Sequence, residues 1–111
     1  HGSIASPLKT ALDYCGFDEF EGTTVGLLAV AGGAFPTAAL DHLRTVARAL
    51  DAWVLPHQAA IPDSHAQFAD GELSDPDLRA RIETLGAELV RYAGVASYPA
   101  ETEPATPAAG D

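Results

Sequence analysis

The sequence predicts an α/β protein built on a parallel sheet, of which this chain carries only a part. Three observations lead there. Val25, Leu27, Leu28, Ala29 and Val30 form a near-continuous apolar run, the pattern of a strand covered on both faces, and Gly32-Gly33 ends it. Pro36 then stands where a helix takes its first turn, and Ala39, Leu43, Val46, Ala47 and Leu50 recur at helical spacing. A second extended segment follows that helix, and a strand-helix-strand connection favours a right-handed parallel crossover. Ligands of open α/β sheets lie outside the carboxyl ends of strands, so the Gly32-Gly33 turn is the first place to expect a site.

The other elements follow in chain order. His1 to Ala5 reads as a loop, and Ser6-Pro7 as an N-cap with proline at the first helical position. The helix is expected to run to about Cys15, with Leu8, Ala11, Leu12 and Cys15 on one face and Gly16 as its αL terminator. Asp18, Glu19, Glu21 and Gly22 make a solvated connection into the central strand. Past the second helix, Trp53-Val54-Leu55 and Gln58 to Ile61 are extended and interrupted by Pro56, which cannot donate to a ladder, so an edge strand or two short pieces of one is expected. Pro62 to Ser74 reads as a polar loop with one aromatic residue, Phe68. Asp75-Pro76 caps a third helix, whose Leu78, Ile82, Leu85, Leu89 and Tyr92 recur at spacings of four and three. From Ser97 the composition turns to Pro, Ala, Glu and Thr, a disordered acidic tail. Two strands and three helices leave one edge of the central strand with unpaired backbone groups, so the chain is not expected to fold alone.

Composition narrows the functional classes. The 111 residues suffice for one domain with a core and are too few for two. Six Lys plus Arg against sixteen Asp plus Glu give a net charge of -10, a poor surface for nucleic acid. The apolar fraction of 47% argues for a folded domain beneath that charge. An acidic, alanine-rich chain whose only lysine is Lys9 suggests a high-salt cytoplasm, where self-repulsion is screened. Cys15 stands alone, which excludes an internal disulfide, suits a reducing compartment, and reads as core filler. No run approaches a membrane span and no signal-like segment opens the chain, so a cytoplasmic protein is expected. The chain contains no Met and starts at His1, as a processed, cropped or partial product would.

HGSIASPLKTALDY, TTVGLLAVAGGAF and ALDHLRTVARALDAWVLPHQAAIP, in that order and spacing, resemble the carboxyl-terminal part of the NAD(P)H-dependent FMN reductases. The resemblance runs from His1 to about Ala93. It implies a flavodoxin-like three-layer αβα fold with a parallel sheet of five strands, of which the chain carries about the last two, with three helices. Residues 1–96 would then be the carboxyl-terminal part of the domain and 97–111 the tail. It implies bound FMN taking a hydride from NADPH or NADH and passing electrons to a flavin, a quinone or an azo compound, in a homo-oligomer. It places His1, Gly2, Ser3, Ile4, Gly32 and Gly33 beside the isoalloxazine ring. Two departures bear on that space: Ala5 and Ser6 separate the Ser-Ile pair from Pro7, and Pro36-Thr37 stand after Phe35 where relatives often have a second glycine pair. The family's phosphate-binding loop is not in the sequence. A non-catalytic module completed by another chain is therefore the alternative.

The residues themselves suit such a ring. Glycine lets backbone approach a flat ligand, donors can meet its carbonyls, and the helix start at Ser6-Pro7 favours negative charge on a reduced flavin. Hydride transfer needs no side-chain acid or base, so no catalytic side chain is named. Ser3 lacks a G-x-S-x-G elbow and an evident Asp-His partner order, and reads as a loop or ligand-facing hydroxyl. His42, His57 and His65 fit no compact zinc spacing and read as solvated or capping residues, so no metal is expected. Lys9 and Arg44 could meet a nicotinamide phosphate, but isolated basic residues on helices usually pair with neighbouring acids, here Asp13 and Asp41, and that pairing is expected. The apolar stripe on the last helix is read as core or as a subunit contact.

Overall fold

The computed structural model describes residues 1–95; the tail expected over 97–111 lies outside them. In order the elements are α1 (Ser6–Asp13), α2 (Phe17–Phe20), β1 (Thr24–Val30), α3 (Thr37–Ala49), β2 (Trp53–Ile61), α4 (Ser64–Gln67), β3 (Phe68–Ala69), β4 (Glu72–Leu73) and α5 (Pro76–Ala93). β1 and β2 pair in parallel, as a strand-helix-strand unit should, and among the described residues β1 has no other sheet neighbour. The architecture is the α/β class expected, with α3 and α5 packed on the sheet.

Two apolar clusters define its faces. Leu27 and Ala29 of β1 pack with Leu40 of α3, which is 1% exposed, and Val25, Ala39, Leu43, Val54 and Ala60 close around them. Leu55 and Ala59 of β2 pack with Leu85 of α5, joined by Ile82. Strand side chains alternate between faces, and one helix covers each set. Gly26 makes room for the second helix. A Cβ built there would stand 3.2 Å from Leu85 Cδ1 and 3.7 Å from the Cδ1 atoms of Leu55 and Leu89.

The expectation that β1 is covered on both faces is corrected. Leu28 and Val30 are 45% and 56% exposed. α5 reaches only the first half of the strand at Gly26, so the carboxyl half keeps one bare face.

β2 runs as one strand through Pro56, with a shift of register. Val25 opposes Val54, yet Leu27 opposes Gln58, so β2 uses four positions where β1 uses two. The bulge absorbs the missing proline donor. Side chains from both helices tie it down: Arg44 Nη2 donates to Leu55 O at 3.0 Å and to Gln58 Oε1 at 2.7 Å, and Arg81 Nη2 donates to Gln58 O at 3.0 Å. Arg44 thus does not pair with Asp41 as expected. A carbonyl left bare by the bulge claims it instead. Lys9 does pair with Asp13, at 2.6 Å.

The ends of elements depart in detail from the sequence reading. α1 begins at Ser6 and stops at Asp13, with Ala5 as N-cap and Tyr14 closing it in the αR conformation. Gly16 is not its αL terminator. It is extended (φ -139°) and starts α2 instead, its N–H donating to Glu19 Oε1 at 2.8 Å. The solvated connection over residues 18–22 therefore contains a helical turn. Cys15 is half-buried and outside both core clusters. Pro36 is the N-cap of α3, not its first residue, and is buried. The loop expected from Pro62 to Ser74 holds α4 and a β3–β4 hairpin turning on Asp70 (φ 53°) and Gly71 (φ 79°). Asp75 caps α5 as expected, Oδ1 accepting from the N–H of Asp77 at 2.8 Å.

Candidate functional site

A cleft of about 530 Å³ lies where the carboxyl end of β1, the turn after it, the segment ahead of α1 and the start of α3 converge. His1, Gly2, Ser3, Ile4, Gly32 and Gly33 all line it, so the two stretches that the sequence singled out are brought to one place. The bare face of β1 contributes Leu28 and Val30, α1 contributes Leu8, and the turn contributes Phe35, which is 85% exposed. These four apolar contributions were not foreseen. The apolar run of β1 places Leu28 and Val30 on a covered face, and the position of α5, over Gly26, leaves them exposed.

Local chemistry sets each wall. Gly2 holds φ +74°, a conformation that side chains disfavour, which turns the chain toward the extended Ala5 and the first turn of α1. On the other side β1 is prolonged past its end: Ala31 N–H donates to Ile61 O at 2.9 Å, and Ala31 O accepts from Ser64 N–H at 2.9 Å. Gly33 O accepts from Asp63 N–H at 2.8 Å, so the glycine turn is anchored to the chain leaving β2. Pro36 O then accepts from Ala39 N–H and Leu40 N–H at 3.2 and 3.4 Å, starting α3.

Gly32 and Gly33 do not have positive φ, and a Cβ at either would meet nothing within 4 Å. Neither backbone geometry nor packing demands glycine there. What glycine leaves is open space against the backbone, which a flat ligand can use. Among the described residues, the N–H groups of Ser3, Ile4, Gly32 and Gly33 have no hydrogen-bond partner. They are donors for ring carbonyl or nitrogen acceptors. An apolar floor, bare backbone and free donors suit a planar heteroaromatic ring. No Lys or Arg lines the cleft. The lining residues could hold the ring of FMN.

The histidines separate. Ser3 Oγ lies 2.6 Å from His42 Nδ1, a contact that the sequence did not announce. His57 Nε2 donates to Arg81 O at 2.9 Å, tying β2 to α5. Among the described residues no group of three or more His, Cys, Asp or Glu side chains could hold a metal ion. No helix among them is long and apolar enough to cross a membrane.

A parallel strand pair flanked by helices, with a cleft at the carboxyl end of β1, defines the class: an α/β fold with its cleft where open α/β sheets hold ligands. Residues 1–66 match the model of the NADPH-dependent FMN reductases, and the chain belongs to that family. It is 39% identical over 101 residues to an FMN-dependent NADPH-azoreductase of Staphylococcus saprophyticus, covering 88% of this chain and 54% of that one. It is 34% identical over 96 residues to an NADPH azoreductase of Bacillus sp. (strain OY1-2), covering 86% and 52%. Its identity to the NADPH-dependent FMN reductase ArsH of Shigella flexneri is 29% over 98 residues, covering 83% and 38%. The chain thus spans about half, or less, of the length of these relatives.

Proposed function

We propose that the protein is an FMN-dependent oxidoreductase drawing electrons from NADPH or NADH and delivering them to a flavin, a quinone or an azo compound. The observation that carries this is the meeting of the His1 to Ile4 segment and the Gly32-Gly33 turn on one cleft at the carboxyl end of β1. Family membership and relatives named for FMN and NADPH support the same reading. The chemistry supplied by FMN, when bound, is acceptance of a hydride from the nicotinamide and its onward transfer to the acceptor.

This chain's own residues bind and orient. Gly32 and Gly33 allow the ring to lie against backbone, and the N–H groups of Ser3, Ile4, Gly32 and Gly33 serve its polar edge. Leu28, Val30 and Leu8 exclude water from the ring's apolar part. No proton donor or acceptor is required of a side chain. We place the protein in the cytoplasm, as a homo-oligomer.

Anaerobic visible spectra test the proposal. Protein mixed with FMN and then NADPH should show flavin bands that shift on binding and bleach on reduction. FMN that stays spectrally free and oxidised would contradict it. That outcome would favour the second reading, a non-catalytic module completed by another chain, for which the exposed Leu28 and Val30 speak, together with the absence of a second sheet neighbour of β1 among the described residues.

A further inference from the structure

The segment ahead of α1 lines the cleft, and one side-chain contact joins it to α3. Among the described residues, no backbone hydrogen bond involves residues 1–4, and their only side-chain hydrogen bond is that of Ser3 Oγ with His42 Nδ1, at 2.6 Å. The partners are 39 positions apart, both are exposed, and His42 is not among the residues lining the cleft. His42 projects from the second turn of α3, a helix fixed to the sheet by the buried Leu40. The bond therefore ties this segment to the rigid part of the fold. Each residue left unfixed costs backbone entropy when a ligand orders it.

The geometry points to His42 as a positioning residue for the ring-binding loop. It holds Ser3, and through Ser3 the run Gly2 to Ile4, in the conformation that presents the loop's N–H groups to the cleft. His42 itself does not touch the ligand. A single polar tether lowers the ordering cost of binding, which is how preorganisation raises affinity. This inference rests on the flavin reading of the cleft.

The test is an equilibrium titration of FMN fluorescence, a binding readout independent of turnover, on wild type and five variants. His42→Ala and Ser3→Ala should each weaken FMN binding by about five- to tenfold, the worth of one net hydrogen bond. The double variant should be no weaker than Ser3→Ala alone. His42→Asn should bind close to wild type, because its amide places an acceptor near the position of Nδ1. His42→Gln, whose amide lies farther along the side chain, should remain weak. Asparagine is a poorer helix former than alanine or glutamine, so a role confined to the stability of α3 would rank these variants in the opposite order. That order, additive single variants, or an unchanged His42→Ala would overturn the inference while leaving the flavin reading intact. Wild-type protein that leaves FMN fluorescence unaltered would overturn the flavin reading and the inference together.

Discussion

Gly33 and Asp63 are joined by a backbone hydrogen bond of 2.8 Å that couples the turn after β1 to the chain leaving β2. Asp63 holds the αL conformation, φ 48° and ψ 49°, to make it. The wall of the cleft thus depends on a residue that does not line it. Asp63→Gly should leave stability within about 0.5 kcal/mol, since glycine adopts αL freely and offsets that gain with its unfolded-state entropy. Asp63→Val should cost about 1–2 kcal/mol, because a β-branched residue resists αL. Urea unfolding of the two variants reads the difference, and equal midpoints would remove the αL requirement.

Gly26 is the point at which α5 meets β1. Gly26→Val should destabilise by about 1–3 kcal/mol through overpacking against Leu85 and Leu55, whereas Gly26→Ala should cost clearly less, since the tight 3.2 Å contact is with the movable end of Leu85. Thermal denaturation checks the ranking. A valine variant as stable as wild type would mean that α5 is not seated as described.

Arg44 is expected to matter more than its position on a helix surface suggests. Arg44→Met keeps most of the aliphatic stem but leaves Leu55 O and Gln58 Oε1 without their donor, at a cost of about 1–3 kcal/mol. Gln58→Ala in the Arg44→Met background should then cost less than it does in wild type. Chemical denaturation of the double-mutant cycle measures the coupling, and strict additivity would contradict it.

Salt should stabilise the protein. A net charge of -10 on 111 residues repels itself at low ionic strength, and KCl screens that repulsion. Melting temperature should rise between dilute buffer and molar KCl. Greatest stability near zero salt would end the high-salt reading.

What could be read from sequence followed the strength of the local signal. β1, α3 and α5 were legible because apolar periodicity, a glycine turn and the Asp75-Pro76 cap agreed. The β3–β4 hairpin was missed although Asp70-Gly71 is a strong type I′ turn pair, since strands of two residues show no alternation. α2 was hidden by its acidic composition, and Gly16 was read as an end when its N–H serves a beginning. Arg44 was assigned by local pairing rules, and the bulge that claims it is a tertiary feature. In the cleft, both stretches that line it were marked by glycine and by the family pattern. The Ser3–His42 contact carries no such mark, because nothing near either residue signals a partner 39 positions away. Leu28 and Val30 read as core for the same reason: exposure is decided by neighbours, not by the run itself.

Hydrogen exchange with and without FMN tests the central claim most directly. The free N–H groups of Ser3, Ile4, Gly32 and Gly33 should exchange quickly alone and become protected when FMN is added, with the middle of α5 unchanged. Protection elsewhere that spares both loops, or none at all at saturating FMN, would contradict the assignment of this cleft to the flavin ring.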